Sequence, residues 1–326
     1  MSPPSAPKPF IRTVLGDIDP TLFGVCYAHE HIIIDESYVT EQYPDYLLAD
    51  VPRAIDELID FRAAGGRAMV DSMPCDCGRN IRKLVQVSRG AKVHIVCPTG
   101  IHLRKYYPPS HWSDTESEYE IALRFIDDIE QGVDRNDYNG APVERDAARA
   151  GLIKVASGRD QLNSHEKKVF AAAARAHKKT GVPILTHTEQ GTAALEQVEW
   201  LGKLGVSASS IVLSHTDRLP ELSYHREILS TGVFVEYDSA FRWPKEKGNP
   251  TRDLILSLFE EGYGEQIMLG MDAARRSYWR SHGGKPGLSY LLETFWPQLK
   301  AAGLSPSAFD SLFVRNPARA YTTIPR

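Results

Sequence analysis

The sequence has no excess of positive charge and no long apolar run. Its 326 residues carry a formal net charge of −4, so electrostatics does not favour nucleic acid or an anionic membrane surface as a partner. No segment approaches the roughly 18 consecutive apolar residues that a membrane span needs. Residues 1–9 contain neither an apolar core nor an arginine pair, and we therefore expect no export signal. These absences predict a cytoplasmic protein without nucleic-acid or membrane partners.

Cysteine is scarce in this chain. The four cysteines are Cys26, Cys75, Cys77 and Cys97. A chain of this length does not need disulfides to stabilise its core, so we expect reduced thiols, in keeping with a cytoplasmic location. Cys75 and Cys77 form a CxC pair, but no second cysteine pair is present to complete a metal site.

The sequence also has no internal repeat and no glycine-rich phosphate loop after its first apolar run. Apolar, strand-like runs instead alternate with segments of helical spacing, which is the pattern of βα units around a parallel sheet. Eight such units predict an α/β fold, a (β/α)8 TIM barrel, rather than an open doubly wound sheet. The predicted strands lie at 25–34, 67–71, 92–100, 151–156, 182–187, 210–215, 232–237 and 266–270.

We predict that residues 1–326 form a single barrel domain. Residues 1–10 are predicted to be a disordered lead-in, and residues 101–114 and 239–250 are predicted to form active-site loops. Among the helices, an alanine-rich segment is predicted over 164–179, with Ser164 as its cap and Gly181 as its end.

The first predicted strand carries the triplet His29-Glu30-His31. Residues two apart in a strand point to the same face, so both imidazoles can hold one metal ion while Glu30 points to the opposite face. Inward imidazoles on an apolar strand need partners for their nitrogens, and a metal ion supplies them. Taken alone, the pair is equally consistent with two hydrogen-bonded core histidines.

Further metal-binding residue types lie on four other predicted strands. Lys154 lies within the fourth strand, His187 and His215 end the fifth and sixth, and Asp272 follows the eighth. Functional groups of a (β/α)8 barrel gather at the C-terminal ends of its strands, so these residues are predicted to converge with the first-strand histidines. Each residue alone has an ordinary structural explanation, but six at one mouth favour a site for two divalent ions.

Lys154 is predicted to be buried between the apolar residues Ile153 and Val155. Burial lowers the pKa of a lysine and makes the neutral amine available. A neutral amine can take up carbon dioxide to form a carbamate, whose two oxygens can bridge two metal ions. This chemistry gives a role to a side chain that cannot bind a cation in its charged form.

These residues together resemble the phosphotriesterase family of the amidohydrolase superfamily. The resemblance covers nearly the whole chain and includes Gly78-Arg79-Asn80 and Asn316-Pro317-Ala318-Arg319. It implies a homodimer and two divalent ions, with zinc as the first choice and manganese, cobalt or iron as alternatives. The implied ligands are His29, His31 and Asp272 for the buried ion, His187 and His215 for the exposed ion, and carboxylated Lys154 with a hydroxide as bridges.

The reaction implied by the resemblance is metal-assisted hydrolysis. The exposed ion would polarise a C=O or P=O oxygen, the bridging hydroxide would attack, and Asp272 would accept the proton. We therefore expect a metal-dependent hydrolase of a lactone or carboxylic ester. The alternatives are hydrolysis of an organophosphate or an amide, and, more remotely, a non-catalytic ligand-binding barrel that keeps a structural metal.

Three positions depart from the family's pattern. At the end of strand seven, well-studied members carry aspartate followed by histidine or arginine, whereas this chain has Asp238-Ser239, which leaves a proton relay there open. Two acidic residues often follow the sixth-strand histidine, whereas here Asp217 is followed by Arg218. After strand three, lactonases of the family carry tyrosine and phosphotriesterases tryptophan, whereas this chain has His102.

The predicted strand-end loops are rich in cations. Arginine suits bidentate contacts with carboxylate or phosphate, so we expect an anionic or polar small-molecule substrate. Solvated loop charges are the alternative interpretation. The candidate substrate-binding residues are His102, Tyr106, Arg218, Arg242 and Arg275.

Overall fold

A computed structural model describes residues 8–140, 142–244, 246 and 248–325. The hairpin of β1 (Ile11–Thr13) and β2 (Gly16–Ile18) precedes a barrel with eight strand positions, which confirms the predicted (β/α)8 fold. The third position is split around Cys97 into two short strands. The barrel strands are β3 (Cys26–Glu30), β4 (Ala68–Asp71), β5 (His94–Val96), β6 (Pro98–Gly100), β7 (Leu152–Ser157), β8 (Ile184–Thr188), β9 (Ile211–Ser214), β10 (Phe234–Tyr237) and β11 (Ile267–Leu269).

The barrel strands pair in parallel in two runs. β3, β4 and β5 form the first run, and β6 to β11 form the second. The barrel closes where the amides of Met271 and Asp272 donate to the carbonyl of His29 at 3.2 and 3.1 Å. This closure places the last predicted ligand directly beside the first.

Helices cover the outside of the strands, and side chains of both share one apolar cluster. None of the helices in the described part of the chain is long and apolar enough to cross a membrane. The α-helices are α1 (Tyr38–Gln42), α2 (Val51–Ala63), α3 (Ile81–Ala91), α4 (Trp112–Thr115), α5 (Glu118–Glu130), α6 (Ser164–Thr180), α7 (Ala194–Lys203), α8 (Leu222–Ser230), α9 (Pro250–Glu260), α10 (Trp296–Ala301), α11 (Ala308–Asp310) and α12 (Asn316–Ala320).

A second apolar cluster fills the lower part of the barrel interior. It is built from side chains of successive strands together with Ile11, Phe23 and Tyr321 from the two ends of the chain. Because side chains alternate along a strand, the residue two positions further on points into the same interior one level higher. The strand members of this cluster are Cys26, Ala28, Ala68, Val70, Val96, Leu152, Leu185, Val212, Phe234 and Met268. The residues one level higher are Lys154, His187, Ser214 and Glu236 on β7 to β10, and Gly270 directly after β11.

Two details of the sequence prediction were wrong. The cap of α6 is Asn163, whose side chain accepts a hydrogen bond from the Glu166 amide, and Ser164 is the first helical residue. The predicted lead-in also extended too far, because Phe10 exchanges backbone hydrogen bonds with Thr323 near the other end of the chain. Residues 1–7 of that lead-in lie outside the described residues, as do residues 245 and 247 of the predicted loop 239–250.

Candidate metal centre and active site

A β-bulge brings both histidines of the first strand into the barrel mouth. The pairing of β3 with β4 shifts register between Tyr27 and Glu30, so Ala28 and His29, although consecutive, both lie on the interior side. His31 lines the same cavity as His29. The Glu30 carboxylate accepts hydrogen bonds from the amides of Met271 and Ala273 at 2.8 and 3.3 Å, and it therefore ties the first strand to the end of the eighth.

Asp272 and the four histidines meet at this mouth. The Oδ1 atom of Asp272 lies 3.2 Å from Nε2 of His31 and 3.7 Å from Nε2 of His29. The ring of His215 lies 4.7 Å from that of His29 and 4.6 Å from that of His187, measured between centroids. His29, His31 and Asp272 offer ligand atoms within 4.8 Å of one another, which is a spacing that one metal ion can use.

His29, His187 and His215 are neutral near pH 7. Burial lowers the pKa of His29 and of His215 well below the usual value. Burial also lowers the pKa of His187 to about 4, although the hydrogen bond that its ring donates to Glu189 opposes this change. Since a neutral imidazole keeps one lone pair, each of these rings is in the state that binds a metal ion.

Hydrogen bonds to carboxylates indicate which ring nitrogen is free in His187 and His215. Nδ1 of His215 is hydrogen-bonded to Asp238, and Nε2 of His187 lies 2.8 Å from a carboxylate oxygen of Glu189. Each carboxylate takes the N–H of its imidazole, which leaves Nε2 of His215 and Nδ1 of His187 as lone-pair donors. Glu189 was not predicted from the sequence, although its position two residues after a strand-end histidine is a signal that could have identified it.

Lys154 lies on β7 with its amine buried and without a hydrogen-bond partner in the described residues. Burial lowers its pKa to about 7, although the negative charges of Asp272, Glu236 and Asp238 partly oppose this change. Gly100 packs so tightly beside Lys154 that a Cβ there would lie 1.8 Å from the Lys154 carbonyl oxygen. The fold thus holds an amine without a partner among the described residues, about half of it neutral near pH 7, below the histidines.

Two ligand candidates have left-handed backbones. His215 has φ of 66° and Asp272 has φ of 48°, in a region that residues other than glycine rarely adopt. Such conformations cost on the order of 1–3 kcal/mol each and persist where neighbouring groups hold them. This conformation explains how His215 can face the mouth although its neighbour Ser214 already points into the barrel.

Arg218 occupies the position where sequence comparison led us to expect an acid. Its Nη2 atom donates to Oδ2 of Asp272 at 2.7 Å and to Oδ1 of Asp238 at 3.2 Å. Burial raises the pKa of Asp272, but the hydrogen bond to His31 and the surrounding positive charges, including those of Arg242 and Arg218, lower it well below the usual value. Asp272 is therefore a carboxylate near neutral pH.

Asp217 and Ser239 are hydrogen-bonded to each other. The Asp217 carboxylate accepts hydrogen bonds from the Ser239 amide at 2.9 Å and from the Thr251 hydroxyl at 2.6 Å. These contacts fix the loop after β10. The Asp217 carboxylate, two residues after His215, therefore serves a structural role.

A cavity of about 740 Å³, partly open to solvent, lies above these groups. Of the predicted substrate-binding residues, His102, Tyr106 and Arg218 line the cavity, whereas Arg242 and Arg275 lie outside its wall. The lining residues that the sequence analysis did not single out are Ile34, Val39, Tyr46, Met73, Cys77, Glu189, Gln190 and Ala274.

His102 presents a hydrogen-bond donor to this cavity. Its Nδ1 accepts a hydrogen bond from the Leu103 amide at 2.7 Å, so the neutral ring carries its hydrogen on Nε2. The ring packs edge-on against Tyr106, with the centroids 4.7 Å apart, and lies 4.8 Å from the ring of His187. A polar group of a ligand above His187 would lie within reach of this N–H.

Arg275 lies at the rim. Its guanidinium group stacks over the ring of Tyr46 at 4.8 Å, and Tyr46 in turn lines the cavity. The neighbouring Arg276 donates to the Pro44 carbonyl at 2.6 Å, and Ser277 donates to Asp45 at 2.7 Å. These contacts join the loops after the first and eighth strands into one wall.

The donor set suits divalent metal ions. It combines neutral imidazoles with an ionised carboxylate, and it includes a buried amine and the buried Nδ1 atom of His31, neither of which has a hydrogen-bond partner among the described residues. Unpartnered polar atoms at one buried place are expected where a further group belongs. A (β/α)8 barrel with this donor set at its mouth defines a metal-dependent hydrolase of the amidohydrolase type.

The chain belongs to the phosphotriesterase family, whose model matches residues 9–321. It is 34% identical over 320 residues to a phospho-furanose lactonase from Mycoplasmopsis synoviae, covering 95% of this chain and 91% of that protein. A lactonase from Listeria monocytogenes has a similar structure, with a TM-score of 0.87, 29% identity and coverage of 97% of this chain and 99% of that chain. The Escherichia coli phosphotriesterase homology protein, solved with phosphate in its active site, has a TM-score of 0.83, 31% identity and coverage of 93% and 100%.

Proposed function

We propose that this protein is a lactonase that hydrolyses a phosphorylated sugar lactone with the help of two divalent metal ions. The observation that carries the proposal is the convergence of neutral imidazoles, ionised Asp272 and the unpartnered amine of Lys154 below one small-molecule cavity. The names of two relatives favour a lactone as substrate. The phosphate in the active site of the Escherichia coli relative favours a phosphorylated one.

The proposed metal ligands are those of the sequence analysis. His29, His31 and Asp272 would hold one ion, His187 and His215 the other, and carboxylated Lys154 would bridge them. Zinc is the first choice, and manganese, cobalt and iron suit the same donors. The ions would supply a hydroxide nucleophile and a Lewis acid for the lactone carbonyl. A homodimer and a cytoplasmic location belong to the same proposal.

Asp272 would transfer the proton during hydrolysis. Hydrolysis adds water across the acyl C–O bond, so the carbonyl carbon gains an OH group and the ring oxygen leaves with a proton. Asp272 is the carboxylate placed to take that proton and pass it to the ring oxygen. Arg218, which contacts Asp272, cannot accept a proton, so the proton does not continue along that contact.

The remaining groups would bind the substrate. The Nε2–H of His102 and the ring of Tyr106 would contact the sugar ring inside the cavity. Arg275, which stacks on Tyr46 at the rim, would bind the phosphate, because a guanidinium group forms bidentate hydrogen bonds with phosphate oxygens.

The test is hydrolysis measured as proton release by the metal-loaded protein. The panel contains a five-membered sugar lactone phosphate, the same lactone without phosphate, an aryl ester and a dialkyl aryl phosphate. We expect the phosphorylated lactone to turn over with a kcat of about 1–10³ s⁻¹. The Asp272→Asn variant should lose this activity, because an amide cannot accept the proton.

Other outcomes would change the proposal in defined ways. Equal turnover of the two lactones would show that the enzyme does not recognise the phosphate group of its substrate. Turnover of the dialkyl aryl phosphate alone would replace the lactonase assignment with organophosphate hydrolysis. An Asp272→Asn variant with full lactonase activity would remove Asp272 from the mechanism.

A further inference from the structure

Arg242 makes most of its hydrogen bonds to the end of the eighth strand. Its Nη2 atom donates to the carbonyl oxygens of Met271 and Asp272 at 2.8 and 2.6 Å, and lies 3.2 Å from Oδ2 of Asp272. Its Nη1 atom lies 3.3 Å from the hydroxyl of Tyr278. An Nη2 atom has two hydrogens, so these three acceptors leave it none for a ligand.

The guanidinium group of Arg242 is also packed in place. It lies over the ring of Phe241 at 4.6 Å and over the ring of Tyr278 at 5.2 Å, measured to the centroids. Its Nε atom is buried and has no hydrogen-bond partner among the residues that the structure describes. The side chain borders shallower grooves next to the main cavity but is not part of that cavity's wall.

Asp272 is the residue that these contacts restrain. Its left-handed backbone, with φ of 48°, needs support from outside the strand, and the hydrogen bonds to the carbonyls of Met271 and Asp272 supply it. Its Oδ2 atom is held by Arg242 and, at 2.7 Å, by Arg218. Oδ1 is thereby left on the side of His29 and His31.

We propose that Arg242 is a positioning residue, which fixes the backbone and carboxylate of Asp272 so that Oδ1 faces the histidine pair of the first strand. This replaces the expectation that Arg242 binds substrate. The inference rests on the proposed function, because it takes Asp272 as a metal ligand. A ligand that is held in place before the metal arrives loses less freedom on binding, so the arginine raises metal affinity.

The test is zinc binding by the metal-free protein, measured by competition with a chromophoric chelator. We expect Arg242→Met to weaken the zinc site that contains Asp272 by about 10–100-fold, which is typical of the loss of a group that orients a ligand. Arg242→Lys should fall between this variant and wild type, because an ammonium group keeps the charge but not the planar fork. If Arg242→Met does not fold, Arg242→Lys decides the question.

Arg275→Met is the matched control. Arg275, like Arg242, lies outside the wall of the main cavity, but it contacts Tyr46 rather than Asp272, so its loss should leave zinc affinity unchanged and raise KM. Zinc affinity of the Arg242 variants equal to that of wild type, together with a raised KM, would make Arg242 a substrate contact and overturn the inference. A wild-type protein that binds no zinc, manganese, cobalt or iron would overturn the proposed function as well.

Discussion

Lys154 shows how strongly one residue's chemistry depends on the place where the fold holds it. An exposed lysine is an ammonium group and repels metal ions, whereas Lys154 is buried, has no hydrogen-bond partner in the described residues and has its pKa lowered to about 7. Its apolar neighbours in the sequence were sufficient to predict this state.

We predict that Lys154→Ala loses the more exposed metal ion, proposed to lie at His187 and His215, and most activity, and that acetate or propionate restores part of both. A small carboxylate can occupy the space of the deleted carbamate and bridge the same donors. The measurements are metal content per chain and lactone hydrolysis with and without the added acid. Lys168→Ala is the control, since Lys168 donates to the carbonyls of Ser113 and Glu116 rather than to the centre. Rescue of neither quantity would argue against a bridging carbamate.

The pH dependence of loading follows from the same residue. Because the pKa of Lys154 is lowered to about 7, its neutral, reactive fraction grows as the pH rises through that value. Metal loading in the presence of bicarbonate should therefore be greater above pH 7 than below it, as measured by metal content after gel filtration. Loading that is equal on both sides of pH 7 would show that Lys154 does not limit assembly.

The residues that hold the ligands were harder to predict than the ligands themselves. Ligand candidates follow strand ends and can be counted along the sequence. The contact between Arg218 and Asp272 joins positions 54 residues apart, and that between Arg242 and Asp272 joins positions 30 apart. Which loop cation points inward depends on loop conformation, for which the sequence has no periodic signal.

At the scale of elements, the predicted strands and helices were accurate where periodicity was strong. The helix predicted over 164–179 is α6, which ends one residue later, and every predicted barrel strand exists. The bulge in β3 was not predicted, although it decides which residues of the first strand face inward. A bulge adds one residue opposite a partner strand, so it is a property of the pair and not of either sequence alone.

The close approach of the third and fourth strands makes a testable prediction. Gly100 has φ of 122°, and a Cβ there would lie 1.8 Å from the Lys154 carbonyl oxygen, which cannot move without displacing β7. Gly100→Ala should lower the free energy of unfolding by more than about 1 kcal/mol, because both the backbone and the contact are incompatible with a side chain. It should also weaken metal binding through Lys154. Thermal unfolding and zinc competition measure the two effects.

Gly202→Ala is the matched control for that substitution. Gly202 lies in α7, where an added Cβ meets nothing within 4 Å. Alanine there should stabilise the protein by about 0.5–1 kcal/mol, since glycine is unfavourable inside a helix. If both variants unfold at the same temperature as wild type, the tight packing between β6 and β7 is not what holds Lys154 in place.

At the scale of the whole molecule, the candidate centre is assembled from strands distributed over most of the chain. Its candidate ligands come from β3, β7 and β8 and from residues that follow β3, β9 and β11. The (β/α)8 fold was predictable because eight alternating units leave few other arrangements. The convergence of the candidate ligands was predictable because the C-terminal ends of all strands in this fold lie at one mouth. The cavity shape and its polar wall required the structure.

This distribution predicts that metal ions stabilise the barrel as a whole. An ion that binds only the folded state raises the free energy of unfolding by about 2.7 kcal/mol when its free concentration is 100 times Kd. Treatment with a chelator should therefore lower the unfolding temperature, and added zinc should restore it in a concentration-dependent manner. Because the ligands span β3 to β11, the whole transition should shift rather than one part of it. In Lys154→Ala the shift should be smaller, since one bridging group between the ions is gone. An unfolding temperature that does not respond to chelator or zinc would show that this mouth, despite its neutral imidazoles and its unpartnered amine, does not hold a metal ion tightly.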